Sequence, residues 1–355
     1  MLTSHCTCSN WLFFGSSCCV KCTREAGLCP SCEAVRGFDV LTDEQDRLNC
    51  GTCGTTVRPC QNRRDSNVCN VYIAAESDDD QESMCRYCRF TRVIPNLGID
   101  GNIDRWKRLE TAKRRVMVGL ELIGVQFDRV NSRLPLIFEF KSDSPEEGQV
   151  VTGHASGVIT INTREADSVV REQTRIAFGE PQRTLVGHFR HELGHYFWEV
   201  LVPNTAMERF RQFFGDERQP DYTTAQHAYY QNGPKKNWAT EFVSAYASMH
   251  PWEDFAETFG TYLDLRAVLA TAIHFGAYSQ ASRNFFELLE AYQKVGLMAN
   301  EWNRDMGLLD LVPEVFVEPV ADKLCFVHGL LTDEFEDDVC AEVKPSLDRS
   351  PTCPI

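Results

Sequence analysis

No apolar run in this 355-residue chain approaches the ~20 residues that a bilayer-spanning helix needs, so no transmembrane helix is expected. The opening residues, MLTSHCTCSNWLFF, have no basic stretch ahead of their short apolar run, and cysteines flank that run. A signal peptide is therefore not expected either. Positive charge is scarce: 36 Lys and Arg stand against 51 Asp and Glu, a net charge of -15. That balance argues against a broad electrostatic grip on nucleic acid or anionic lipid. No internal repeat is evident beyond a set of duplicated cysteine pairs. With 43% hydrophobic and 25% charged residues, the chain has the make-up of an ordinary globular protein, long enough for two domains and a sizeable core.

Cysteine is the residue in excess, and its placement matters more than its number. Of 16 cysteines, 13 lie before residue 90. Many form C-x-x-C pairs: Cys19/Cys22, Cys29/Cys32, Cys50/Cys53 and Cys85/Cys88. Such a pair suits a tight knuckle that offers two thiolates to one tetrahedral zinc. A disulfide framework belongs to small exported domains, so zinc and a reducing cytoplasm are expected instead. Cys29/Cys32 with Cys50/Cys53 make one four-thiolate site of ribbon type. Cys60, Cys69, Cys85 and Cys88 offer another, with the acidic stretch Glu76–Glu82 looped out between its halves. A further site is open in its composition. Cys19 and Cys22 supply one half, and Cys8 with either Cys6 or His5 supplies the other, Cys18 being spare. A rival partition joins Cys19/Cys22 directly to Cys29/Cys32. A segment this poor in apolar patterning needs metal to fold, so two or three structural zincs are expected across residues 1–100.

After Pro95 the pattern changes. Ile103, Trp106, Leu109, Val116, Leu120 and Ile123 recur at helical spacing, with Asp100 or Asn102 placed to cap the start. The basic residues between them, Lys107, Arg108, Lys113, Arg114 and Arg115, are expected to form a solvated face. Leu136–Phe140, Gln149–Gly153 and Gly157–Asn162 carry the β-branched residues and glycine punctuation of strands. From Arg164 onward the chain turns helical into the run RTLVGHFRHELGHYFWEVLVP, which Pro203 is expected to end. Residues 205–231, 236–250, 281–296 and a stretch from Pro251 toward Phe275 also read as helices. Residues 101–312 thus form a second, α+β domain, and 313–355 a C-terminal extension whose end, SLDRSPTCPI, is expected to be disordered.

The chemistry concentrates in His191-Glu192-Leu193-Gly194-His195. Positions four apart lie on one face of a helix, so His191 and His195 can grip a single ion, with Glu192 placed to take a proton from a water on it. A catalytic zinc needs a third protein ligand and an open position. The histidine-continued pattern is excluded, because Trp198 and Leu201 stand where its glycine and third histidine would be. The stretch HPWEDFAETF (250–259) instead offers two glutamates at i,i+4. One can bind the metal while the other, a turn away, holds a ligating imidazole from behind. His188 and His250 are read as structural, and Phe197, Trp198, Trp252, Phe255 and Phe259 as core around the metal helices.

At this point the chain resembles a family. EDFAETF is similar to the E-F-F-A-E-A-F stretch of lethal-factor-type zinc peptidases, a branch of the glutamate-zincins. That resemblance places Glu253 on the zinc ligand, Glu257 on the carboxylate behind it, and Tyr246 on the tyrosine that faces the oxyanion. Over nearly its whole length the chain resembles bacterial zinc-binding metallopeptidases with an N-terminal zinc-ribbon region. The matching stretches are CRYCRFTRVIPNL (85–97), TGHASGVITIN (152–162), GEPQRTLVGHFRHELGHYFW (179–198), FFGDERQPDY (213–222), SAYASMHPWEDFAETF (244–259) and EPVADKLCFVHGLL (318–331). The resemblance implies a zincin-like α+β domain behind zinc ribbons and one catalytic zinc on His191, His195 and Glu253. It also implies Glu192 as general base, a peptide or protein substrate, and an edge strand at Gly157–Asn162 to pair with it. The competing expectation is a binding protein, whose ribbons take a protein or nucleic-acid partner and whose zincin domain turns over little. No membrane partner is expected, and a protein partner at the ribbons fits better than nucleic acid.

Overall fold

The computed structural model describes residues 3–41, 46–75, 83–143, 148–178, 183–279, 284–313 and 315–332. The acidic stretch Glu76–Glu82 and the end SLDRSPTCPI lie outside them. The chain divides into two compact units, residues 1–118 with 131–189, and residues 119–130 with 190–355.

The first unit opens with a two-stranded hairpin, β1 (Ser4–His5) on β2 (Trp11–Leu12). An antiparallel meander of five strands follows: β3 (Glu25–Cys29), β4 (Ala34–Val40), β5 (Leu48–Cys50), β6 (Thr56–Pro59) and, after the short helix α1 (Gln61–Ser66), β7 (Tyr72–Ala74). One turn is built three times here. The amides of Thr23, Glu33 and Gly54 bond back to the carbonyls of Cys19, Cys29 and Cys50, and all three residues have positive φ. That left-handed residue folds each C-x-x-C back on itself. Only one of the three is glycine, so Thr23 and Glu33 hold a conformation their Cβ disfavours. The core beside the meander is small, with Phe38, Leu48, Val57 and Tyr72 packed on Cys29 and Cys50.

A second, mixed sheet has the order β10-β11-β9-β8, from β8 (Thr91–Val93), β9 (Ile137–Lys141), β10 (Gly153–Ala155) and β11 (Val158–Asn162). The expected edge strand is corrected here. β11 runs parallel to β9 on one side and antiparallel to β10 on the other, so its ladder is already filled. Among the described residues β10 is the edge on that side. The strand expected from Gln149 begins only at Gly153. Phe138, Phe140, Ile159 and Ile161 are fully buried, and the rings of Phe138 and Phe140 lie 5.9 and 6.1 Å from that of Phe189.

Between β8 and β9 run α2 (Asn102–Leu122) and α3 (Phe127–Asn131). Trp106, Leu109, Val116 and Leu120 of α2 are buried as the spacing predicts, while Ile103 is exposed. The solvated basic face holds for three of its five residues. Lys107, Arg108 and Arg115 are exposed, but Lys113 is 0% and Arg114 2% exposed. Lys113 pairs with Glu110 at 2.9 Å, so the helix buries charge with its partner attached. After β11, α4 (Ser168–Phe178) leads into α5 (Leu185–Thr205). Pro203 lies inside the last turn of α5 rather than ending it before that residue.

The second unit is helical from Arg190 onward: the rest of α5, α6 (Met207–Phe214), α7 (Tyr222–Asn232), α8 (Pro251–His274), α9 (Phe285–Asp305) and α10 (Glu318–Thr332). Three expectations change. The helix expected over 205–231 is broken into α6 and α7 by Gly215, at φ 98°, and Pro220. Residues 236–250 hold two single-turn 3-10 segments, Trp238–Thr240 and Tyr246–Met249, and α9 runs on to Asp305. α10 belongs to the core of this unit: Leu324, Phe326 and Val327 are buried and the helix packs on α8.

α8 starts cleanly because His250 caps it, its Nδ1 accepting from the Trp252 amide at 3.1 Å, and Pro251 takes the first turn, where no amide is missed. Helices α5 and α8 touch at Gly194. A Cβ there would stand 2.8 Å from the Cα of Ala256, a backbone atom that cannot swing aside. Gly194→Ala is accordingly expected to cost about 1–3 kcal/mol through overpacking, measured as a lowered denaturant midpoint at unchanged m-value. Wild-type stability would contradict the close helix contact.

Candidate metal centres

Four groups of metal-ligating side chains converge among the described residues. Three are cysteine tetrads in the first unit: Cys6/Cys8/Cys19/Cys22, Cys29/Cys32/Cys50/Cys53 and Cys60/Cys69/Cys85/Cys88. The open partition thus resolves in the structure toward Cys6 rather than His5, whose ring lies against Trp11 at 4.0 Å, and the Cys19–Cys32 partition is not formed. The spacing of the sulfurs tests the fit. Thiolates at ~2.3 Å from one tetrahedral zinc stand about 3.8 Å from each other. The sulfur pairs stand at 3.7 Å for Cys6–Cys22, 3.6 Å for Cys8–Cys19, 3.7 Å for Cys29–Cys53, 3.9 Å for Cys32–Cys50 and 3.8 Å for Cys69–Cys85. These are far beyond a disulfide bond of about 2.05 Å and match a shared ion.

The fourth group is His191, His195 and Glu253 in the second unit. α5 carries both histidines one turn apart, and the first turn of α8 carries the glutamate. Their Nε2 atoms are 3.1 Å apart, and Glu253 Oε2 lies 3.1 Å from one and 3.4 Å from the other. Three ligands at ~2.0–2.1 Å from a tetrahedral zinc would be about 3.3 Å apart, so the triangle is the right size. Glu253 Oε2 is buried with no hydrogen-bond partner, an atom left for an ion to satisfy.

The groups behind these side chains set which of their atoms would face an ion. Glu257 Oε1 accepts from His191 Nδ1 at 2.7 Å, which leaves the lone pair on Nε2. Ser244 Oγ donates to the other Glu257 oxygen at 2.7 Å. Burial works against charge on Glu257, but the contacts to His191 and Ser244 hold its carboxyl below the usual range. Glu257→Gln is expected to weaken metal binding at this centre by about 10–100-fold, read by competition with a chromogenic chelator. Unchanged affinity would remove Glu257 from the centre.

Two residues of the centre were not singled out by sequence reasoning. The Tyr222 hydroxyl donates to Glu253 Oε1 at 2.7 Å and so aims Oε2 at the imidazoles. Ser244 fixes Glu257 as described above. Both sit in stretches that carry the family resemblance, FFGDERQPDY and SAYASMHPWEDFAETF, but neither residue type at either spacing signals a ligand. Tyr246 has its ring 6.1 Å from that of His191 and a hydroxyl that interacts with Tyr222. Burial raises the pKa of both phenols, which keeps them protonated donors.

Glu192 is buried beside these groups. Burial raises its carboxyl pKa, His191 and His195 oppose the rise, and its Oε2 has no hydrogen-bond partner. Of the other histidines, His188 lies 3.3 Å from Glu165, and His250 bonds the Glu217 carbonyl at 3.0 Å while capping α8. Neither joins the ligand group. Phe197, Phe255 and Phe259 are core, and Trp252 lies against His195 with ring centroids 4.1 Å apart.

The fold and these centres define a class: an α+β metal-binding protein with a cysteine-rich zinc-ribbon region ahead of a helix-borne His, His, Glu group. Residues 3–99 match a zinc-ribbon domain model, and residues 102–330 match the family model described as "Putative zinc-binding metallo-peptidase". The chain belongs to this zinc-binding metallopeptidase family. An uncharacterized protein of Mycobacterium bovis and another of Mycobacterium tuberculosis are each 32% identical to it over 363 residues, covering 97% of this chain and 98% of the relative. No solved structure matches the chain. No helix among the described residues is long and apolar enough to cross a membrane.

Proposed function

We propose that the chain hydrolyses peptide bonds in a peptide or protein substrate, as a glutamate-type zinc peptidase in a reducing compartment such as the cytoplasm. The observation that carries this is the triangle of His191 Nε2, His195 Nε2 and Glu253 Oε2 at 3.1–3.4 Å with the unpartnered Oε2 of Glu192 in the same buried cluster. A site that merely stored metal would need no such carboxylate. The cysteine tetrads support the reducing compartment, because zinc binds reduced thiolates and not disulfides.

Zinc held by His191, His195 and Glu253 would supply Lewis acidity and a water of lowered pKa. Glu192 takes the proton of the attacking water on Oε2 and returns it to the leaving amine. Its raised pKa suits that exchange, since a carboxyl nearer neutrality both accepts and gives up a proton readily. Tyr246, a protonated phenol next to His191, donates a hydrogen bond to the oxygen that gains charge on the scissile carbonyl. Tyr222 and Glu257 hold Glu253 and His191 in register, so the reacting groups need not reorganise.

The test is a peptide library incubated with the zinc-loaded protein, with new N-termini identified by mass spectrometry. Cleavage that disappears with a zinc chelator and returns with added zinc is expected. No new termini across the library, from a protein carrying metal at the His, His, Glu centre, would favour the binding-protein alternative.

A further inference from the structure

The third cysteine tetrad differs from the other two in its surroundings. Cys60, Cys69, Cys85 and Cys88 are all buried, whereas Cys8, Cys22 and Cys32 are half-exposed and Cys53 is exposed. Backbone amides of Val71, Cys85 and Cys88 point at the sulfurs of Cys69, Cys60 and Cys85 at 3.3, 3.3 and 3.4 Å. A zinc with four thiolates carries a net charge of about -2, and a buried dianion is costly unless a cation is buried with it.

The cation present is Arg114. It is 2% exposed, and its Nη1 lies 3.7 Å from Cys69 Sγ. Its other contacts are slight: Nη2 to Thr111 Oγ1 at 3.5 Å and the guanidinium over the Phe14 ring at 5.7 Å, with Nε unpartnered. The neighbouring charges do not account for it. Glu110, whose Oε2 is 3.9 Å from Cys88 Sγ, is already paired with Lys113 at 2.9 Å, and Lys113 also donates to Thr91. A guanidinium buried beside four neutral thiols would have only the Glu110 carboxylate nearby, which Lys113 already pairs. Beside a tetrathiolate zinc it has a counterion of its own, with Cys69 Sγ 3.7 Å from its Nη1.

We infer that Arg114 is the countercharge of the Cys60/Cys69/Cys85/Cys88 zinc, and that this ion pins helix α2 to the ribbon. α2 opens the segment matched by the metallopeptidase family, yet its residues up to Val118 lie in the same compact unit as the cysteine tetrads. The third zinc is therefore a joint between the two family segments rather than a further ribbon ornament. The three structural sites are unequal: the first two exchange metal with solvent chelators, and the third holds it. Arg114 is a positioning residue here, acting through Cys69. The inference rests on zinc in this tetrad and is independent of peptidase activity.

The experiment follows zinc release from the full-length protein into excess chromogenic chelator, with cobalt-substituted protein to identify sulfur-ligated metal by its charge-transfer band. In the wild type one tetrathiolate equivalent should leave last. Arg114→Met should release that equivalent about 10–100-fold faster, Arg114→Lys should restore part of the difference, and Arg115→Met, at an exposed neighbour, should release it as the wild type does. Wild-type release from a folded Arg114→Met protein would overturn the countercharge. If that variant does not fold, hydrogen exchange on the wild type decides. Protection across residues 104–118 should vanish when the last structural metal is removed, and protection that survives would overturn the joint. Absence of any sulfur-bound metal would overturn the tetrathiolate premise itself, whatever the peptide library shows.

Discussion

Glu192→Gln should keep its zinc and lose about 10²–10⁴-fold in kcat. Glutamine has the shape of the glutamate and still accepts a hydrogen bond, so the fold around His191 and His195 has no reason to move. What it cannot do is take up a proton at Oε2, the atom that has no partner in the structure. Metal content by elemental analysis should equal that of the wild type, and KM should change far less than kcat, because the proton moves only on the way to the transition state. Turnover within tenfold of the wild type would end the general-base role. Loss of zinc in the variant would instead make Glu192 a support of the metal.

Lys323→Met should destabilise the second unit by about 3–5 kcal/mol, the cost of breaking one side of a buried ion pair. Lys323 Nζ lies 2.6 Å from Asp254 Oδ2 and 2.8 Å from the Glu241 carbonyl, and Asp254 is fully buried. Burial pushes the Asp254 carboxyl up to about 7, with the Lys323 ammonium opposing the rise. Removing Lys323 leaves Asp254 with a weak contact to Thr258 at 3.4 Å and either an unpaired charge or a proton it must hold. The readout is the thermal midpoint. Lys323→Met with Asp254→Asn should recover part of the loss, because no charge then lacks a partner. An unchanged midpoint in the single variant would show that α10 is not tied to α8 through this pair. Because Asp254 directly follows Glu253, the double variant should also be checked for metal content.

The convergence of His191, His195 and Glu253 was legible in the sequence to an unusual degree. An i,i+4 histidine pair and an i,i+4 glutamate pair are local patterns, readable on two separate helices before their contact is known. Trp198 and Leu201, standing where a glycine and a third histidine would be, already directed attention to HPWEDFAETF. Tyr222 was not legible, because its contact with Glu253 spans 31 residues and depends on the break between α6 and α7. Tyr246 was located by resemblance, but on a single 3-10 turn rather than a helix. The strand Val158–Asn162 was found, and its position in the sheet was not, since alternation along a strand says nothing about which neighbours pair with it.

The basic residues of α2 make the same point about charge. Counting Lys and Arg at helical spacing predicts a wet face, because an isolated charge is costly to bury. Lys113 and Arg114 are buried because Glu110 on their own helix and Cys69 from a distant turn meet them. Local sequence thus determined the long helices α2, α5 and α8, the knuckle pairs and both halves of the His, His, Glu centre, all of which arise from periodicity and short spacing. Tertiary structure alone decided that Cys6 rather than His5 completes the first tetrad, that Tyr222 aims Glu253, and that Arg114 lies against a sulfur cluster. Each of those depends on long-range proximity, and proximity is what makes burying a polar group tolerable.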